Sequence, residues 1–302
     1  MEAIDTPNRR LMGTVVHRTR VIMEMIKFEH TIFMMPFALM ATAIASRGHM
    51  GVLPSKIGWI LLAMVSARSA AMAFNRIADR DVDALNPRTA SRAIPAGQLS
   101  VPHVAVFTIV CCALLVWSSA ELNPLALALS PIAIAITLGY SYTKRFTALS
   151  HLVLGIALAA APVGAWIAIR GAIGIPALWL GGAVVCWLFG FDIIYSLQDV
   201  DFDRAHGLHS MPALVGKRNA LLLSRIAHIV MVGLLVGAGI AAGLGPIYFS
   251  ATGLVAVLIG YEQSLVRPGD LSKINVAFFV LNGYISVALC LLTVLDIFVF
   301  KR

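Results

Sequence analysis

The sequence predicts an all-α integral membrane protein, and two observations carry that reading. Of 302 residues, 59% are hydrophobic and only 13% are charged, with a mean hydropathy of +0.87. A soluble domain carries roughly 25% charged residues. The apolar residues also gather in runs near the ~20 residues a helix needs to cross a hydrocarbon core. Such runs lie at about 29–46, 57–78, 101–119, 124–140, 150–169, 176–197, 220–242, 246–262 and 275–298, which gives nine expected transmembrane helices.

Residues 1–28 form a polar N-terminal segment with no pattern of a cleaved signal peptide. Within it, residues 18–28 put Val21, Ile22, Met25 and Ile26 on one face, as an amphipathic helix lying on the membrane interface would. Residues 29–302 read as a single nine-helix domain. Asn123-Pro124 supplies an N-cap and a first-position proline, so the third and fourth helices should join in a tight hairpin. Gly243 to Pro246 marks another hairpin, and Arg267-Pro-Gly-Asp270 a longer one. Cys111, Cys112, Cys186 and Cys290 sit inside apolar runs without metal-ligand spacing, and read as small buried hydrophobes.

A net charge of +8 would suggest a nucleic-acid partner in a soluble protein. Here the basic residues occupy short loops between apolar runs, so membrane topology explains them and no nucleic-acid partner is expected. Arg9, Arg10, Arg18, Arg20 and Lys27 precede the first span. Arg76, Arg80, Arg88 and Arg92, then Lys144 and Arg145, follow the second and fourth. Arg204, Lys217, Arg218 and Arg225, then Arg267 and Lys273, follow the sixth and eighth. The opposite side has Arg47, Lys56, Arg170, Lys301 and Arg302. This bias predicts a cytoplasmic N-terminus and an external C-terminus in a bacterial inner or plasma membrane, with lipids as the main contact.

The chemistry gathers in two acidic clusters. Asn75, Asp79 and Asp83 are spaced to share one helical face, as are Asp192, Tyr195, Asp199 and Asp203, while Asp81 and Asp201 leave those faces. Like carboxylates one turn apart repel each other, and beside a membrane such acids bind something positive. Hard oxygen ligands without histidine or thiolate suit Mg2+. Simple salt bridges to Arg76, Arg80 and Arg204 would account for one cluster. They account less well for two on the same side, about 120 residues apart.

Cations follow each cluster: Arg88 and Arg92 in the run Asn86 to Gly97, and Lys144 and Arg145 after Tyr140. Magnesium and arginine together are what a departing diphosphate requires. Arg68 lies within the second span, two turns before Asn75, where a charge marks a functional site or an ion pair with an acid such as Asp192. The pair His206 and His209 lacks a further soft ligand for zinc. Glu262 and Asp296 read as helix-end side chains reaching toward the interface.

In joint order and spacing, the NxxxDxxxD of Asn75–Asp83, the run Arg88–Gly97, the YxxxKR of Tyr140–Arg145 and the DxxxD of Asp199–Asp203 resemble the UbiA-type family of intramembrane aromatic prenyltransferases. The resemblance covers nearly the whole chain. It implies a helical bundle around a central cavity, with a cytoplasmic cap and a lateral opening. It implies Mg2+ on Asp79, Asp83, Asp199 and Asp203, supported by Asn75, with the diphosphate against Lys144, Arg145, Arg88 and Arg92. Asp192 and Tyr195 would orient the acceptor or stabilise charge during proton loss, and Arg68 and Lys27 would meet an acceptor carboxylate. Lys27 to Thr31 and Tyr195 to Asp199 look most like 4-hydroxybenzoate polyprenyltransferases, with polyprenyl diphosphate and an aromatic acid as substrates. Asp201 and the His206/His209 loop look closer to members that serve menaquinone synthesis by the futalosine route. The alternatives within the fold are haem, chlorophyll or lipid prenylation. A cation or organic-anion transporter would instead spread its acids through the membrane depth.

Overall fold

The computed structural model describes residues 19–26, 31–48, 51 and 53–300, and is helical almost throughout. A short helix at 19–25 (α1) is followed by α2 (Thr31–Ala45), α3 (Leu53–Ala78), α4 (Arg80–Leu85), α5 (Val101–Leu122) and α6 (Pro124–Thr143). Then come α7 (Ser150–Arg170), α8 (Ile175–Ser196), a 3-10 turn Leu197–Asp199, α9 (Val200–Ala205), α10 (Met211–Ala242) and α11 (Pro246–Leu265). A π-helical turn, Val276–Leu281, leads into α12 (Asn282–Phe300). Among the described residues no strand forms beyond one Arg267–Asp270 bridge.

Seven helical segments are long and apolar enough to cross a membrane, against the nine expected. The two that differ are α2, with 15 residues, and α11, whose 20 residues include Thr252, Glu262 and Gln263. Gly216, with φ +81°, sets a first turn of α10 apart from its long span, which begins close to where the apolar run predicts.

The core centres on α8, whose Leu180, Val184, Trp187 and Ile193 are fully buried. Around it lie Phe37 and Met40 of α2, Met231 and Leu235 of α10, Tyr248 of α11, and Ile285 and Leu289 of α12. Helix α7 approaches closely because Gly155 has no side chain: a Cβ there would stand 2.8 Å from the Val185 carbonyl oxygen. The outer surface exposes Ile109, Trp117, Ile229, Val257 and Leu291, which is sensible only if lipid is the solvent. In α1, Val21, Met25 and Ile26 are buried with Ala73, Ala93, Leu99 and Val104, so protein covers this apolar face.

The end opposite the aspartates is held by reciprocal helix capping. Arg47 donates to the Ala242 carbonyl at 2.5 Å, Lys56 to Ala168 at 2.7 Å, and Arg170 to Arg47 at 2.8 Å. Asn123 caps α6 through Ala126 N–H at 2.9 Å and donates to the Ile167 carbonyl at 2.8 Å, closing the expected hairpin. Asp296 accepts the N–H groups of Gly245, Ile247 and Tyr248 at 2.6, 3.0 and 3.2 Å, neutralising the start of α11. It is 1% exposed, so it caps a neighbouring helix and does not reach outward. Glu262, fully buried, also departs from the interfacial reading.

Asp296→Ala should lower stability by about 2–5 kcal/mol, because three buried donors lose their acceptor. Thermal unfolding in detergent measures this. Catalytic turnover of the surviving folded fraction should persist, since the cap lies at the far end of the bundle from the acidic clusters.

Candidate active site

Each acidic cluster occupies the same local structure: a long helix, one residue off helical geometry, and a short helix. Asp79 (φ −94°, ψ 4°) bends the chain between α3 and α4, and Asp199 (φ −102°, ψ 2°) does so between the 3-10 turn and α9. The second aspartate of each cluster, Asp83 or Asp203, sits on the short helix and is buried, while Asp81 and Asp201 are exposed. A single straight stripe of carboxylates, expected from the spacing, would stack like charges one turn apart. The bend turns each second acid toward a cation instead.

Those cations come from other loops. Arg92 grips Asp83 with Nη1 at 2.6 and 2.8 Å. Arg88 grips Asp199 with Nη2 at 2.6 Å and Nε at 3.0 Å, and Asn86 adds a donor to Asp199 at 3.4 Å. Lys144 Nζ stands 2.8 Å from Asp203 Oδ1. Asn75 donates to Asp79 at 2.8 Å. The local partners Arg76 and Arg204 form no ion pair with these acids; Arg80 meets only the exposed Asp81, at 3.3 Å. Arg145 donates to the Ala78 carbonyl and lies over the Tyr142 ring, so in this structure it closes the end of α3. These contacts tie the 86–100 loop to α8, α9 to the loop after α6, and that loop back to α3, closing a ring over one end of the bundle.

Beneath this ring lies a cavity of about 890 Å³. Its charged end contains Asn75, Arg76, Arg92, Tyr140, Asp192 and Tyr195. One face of α3 follows it from Ile60 to Asn75, about 22 Å at 1.5 Å per residue. Small residues leave the space: Ala63, Ala67 and Ala71 on α3 face Ala133 on α6 and Ala157, Ala161 and Gly164 on α7. Arg68 lines the cavity below the polar end, with its buried Nε lacking a hydrogen-bond partner. The ion pair considered between Arg68 and Asp192 does not form; Asp192 contacts His151 at 2.6 Å. Tyr195 stacks on Phe278, with centroids 4.3 Å apart, and its hydroxyl accepts from Arg88 at 3.2 Å.

Arg76, Asn86, Tyr140 and His151 belong to this constellation without having been singled out as site residues. Tyr140 could have been found from its helical register with Lys144, whereas Arg76, adjacent to Asn75, lies about 100° around the helix from it. His151 carried no local signal, because its partner is 41 residues away. Lys27 lies outside the described residues.

Among the described residues no three His, Cys, Asp or Glu side chains form a ready metal cage. The donor set nevertheless fits a hard cation. Asp203 is 0% exposed, and the Lys144 ammonium beside it lacks hydrogen-bond alignment, so both carboxylate oxygens remain without a hydrogen-bond donor. Such a group is costly to bury and suits an oxygen-seeking divalent ion.

Residues 34–284 match the model of the UbiA prenyltransferase family. A 4-hydroxybenzoate octaprenyltransferase from Alkalilimnicola ehrlichii is 31% identical over 207 residues, spanning 68% of this chain and 70% of that protein. The solved structure of a UbiA homologue from Aeropyrum pernix K1 is similar at TM-score 0.78 and 35% identity, over 91% of this chain and 98% of its own. A UbiA homologue from Archaeoglobus fulgidus bound to DMAPP and Mg2+ shares the fold at TM-score 0.61 and 17% identity, over 89% and 98%.

Burial, reinforced by the Asp83 carboxylate, holds the Asp79 carboxyl above the usual carboxylate range, against the Asn75 amide and the charges of Arg145 and Lys144. The folded protein therefore holds this proton more tightly than the unfolded chain. The contribution is fully present below the ordinary carboxylate pKa and is lost as pH rises through the raised value. Asp79→Asn, permanently neutral, should flatten that decline. Its melting temperature in chelator should equal or exceed the unsubstituted protein's at neutral pH, with the difference shrinking toward acid pH.

Proposed function

The chain belongs to the UbiA prenyltransferase family, and we propose that it transfers a polyprenyl group from a polyprenyl diphosphate to a 4-hydroxybenzoate-like aromatic acid in quinone biosynthesis. The observation that carries this reading is the single cavity that joins a cation- and acid-lined end to a long alanine-walled apolar chamber. A prenyl diphosphate has the same division: a polyanionic head and a tail as apolar as lipid.

In this reading α2 and α11 complete a nine-span bundle in a bacterial cell membrane. The ring of ion pairs and the N-terminus lie on the cytoplasmic side, as the basic-residue bias requires, and the C-terminus lies outside. The tail enters from the bilayer and fills the chamber between α3, α6 and α7. The head stops at the charged end, where Arg88, Arg92 and Lys144 exchange carboxylate partners for phosphate oxygens. Asp79, Asp83, Asp199 and Asp203, with Asn75 in support, would hold magnesium, which when bound would neutralise the diphosphate and ease its departure.

The residues then divide the work. As the allylic carbon–oxygen bond breaks, its electron pair leaves with the diphosphate, and Arg88, Arg92 and Lys144 stabilise the growing charge. The apolar chamber keeps water from the allylic cation. Arg68 meets the acceptor carboxylate, because it lines the cavity and no acid among the described residues pairs with it. A ring carbon supplies the electron pair for the new carbon–carbon bond. The ring carbon–hydrogen pair returns to the π system and its proton goes to Asp192, while Tyr195 and Phe278 brace the aromatic wall.

Membranes containing the protein, given magnesium, radiolabelled polyprenyl diphosphate and 4-hydroxybenzoate beside other aromatic acids, should label one acid in a magnesium-dependent way. Asp199→Ala should reduce transfer at least ~100-fold with the protein still folded. Failure to bind the diphosphate would refute the reading; transfer only to a non-acidic acceptor would remove the quinone assignment. Arg68→Met should raise the acceptor KM about 10- to 100-fold and leave the diphosphate KM unchanged. Equal use of acids and uncharged phenols by the unsubstituted protein would sink the role given to Arg68.

A further inference from the structure

Asp192 faces the cavity from α8, and among the described residues its one hydrogen-bond partner is His151. His151 stands in the first turn of α7, is 4% exposed, and does not line the cavity. Its Nδ1 is 2.6 Å from Asp192 Oδ2, and its Nε2 accepts the Met211 backbone N–H at 3.4 Å from the first turn of α10. That second contact assigns the roles of the two ring nitrogens. With Nε2 accepting from that N–H, Nδ1 is the nitrogen that donates to the carboxylate.

We infer that His151 is the positioning residue for Asp192: it binds one carboxylate oxygen so that the other is held toward the cavity to receive the acceptor-ring proton. The inference rests on the role proposed for Asp192 and adds the group that makes that role possible. A carboxylate beside an apolar chamber with no donor would rotate away or take up a proton, and neither form can act as a base. The imidazole supplies one directed donor from a buried position outside the cavity. Because His151 touches α7, α8 and α10 together, the donor is held by three packed helices and not by a loop.

The test is a set of variants assayed with ring-protonated and ring-deuterated acceptor. His151→Leu should lower kcat about 10- to 100-fold with the diphosphate KM unchanged. A primary deuterium isotope effect absent from the unsubstituted enzyme should appear, because proton loss becomes limiting. His151→Asn places an amide N–H near the Nδ1 position and should recover most of the rate. His151→Gln, whose amide falls nearer Nε2, should not. Asp192→Asn should lose rate alike, and the double variant Asp192→Asn/His151→Leu should be no slower than the worse single one. If Asp192→Asn keeps full rate, the role given to Asp192 fails. If Asp192→Asn is slow while His151→Leu is fast and shows no isotope effect, the role given to His151 alone fails. Should His151→Leu not fold, the asparagine and glutamine variants decide the matter, and equal rates for the two overturn the inference.

Discussion

Everything at the catalytic end of this bundle follows from the need to neutralise carboxylates that sit where helices leave the membrane. Asp83, Asp199 and Asp203 are each buried, and each would be prohibitively costly there as a bare anion. The chain meets this constraint by bringing Arg92, Arg88 and Lys144 from three separate loop positions onto them. The cap is therefore built largely by its electrostatics: remove the acids and the loops lose the contacts that tie them to α4, the turn after α8, and α9. The same pairing keeps acid and cation charge concentrated in one place, which the proposed function would divide between a metal and a phosphate group.

The cavity obeys a complementary constraint. Helices packed at normal separation leave a void only where facing side chains are small, and α3, α6 and α7 present alanine and glycine to one another along the length of the chamber. On the other side α7 and α8 are in contact at Gly155 and the core of α8 is fully buried. A rigid side around α8 and a hollow side around α3 thus come from the distribution of side-chain volume alone. The polar residues that matter for chemistry stand on the boundary between the two.

Much of this was legible in the sequence because it is written at helical spacing. The apolar runs located the long helices, Asn123-Pro124 located a hairpin, and the two acidic clusters with Arg88, Arg92 and Lys144 located the charged end. What the spacing does not contain is where a helix stops being straight. The bends at Asp79 and Asp199 turn two regular stripes into four separately partnered carboxylates, and they depend on cations over 100 positions away in the case of Arg88 and Asp199. Asp296 and Glu262 were misread for a related reason. A charge near a helix end resembles an interfacial residue until the neighbouring helix is in place, and for Asp296 that neighbour is the start of α11. His151 was invisible because a lone histidine beside an apolar run has no local pattern at all.

The partners also separate the acids by what they can do. Asp83, Asp199 and Asp203 face mobile-ended, fully charged side chains, whose attraction for a phosphate oxygen matches their attraction for a carboxylate. Such pairs can exchange when a polyanion and a divalent ion arrive together, because the total charge pairing is conserved. Asp192 faces a buried imidazole on α7 that also contacts the start of α10, a partner fixed by packing and not by a loop. In the proposed reaction, one end of the site would reorganise its charges around the substrate while Asp192 stays fixed. This is the division that a reaction needs when its leaving group and its proton depart in different directions.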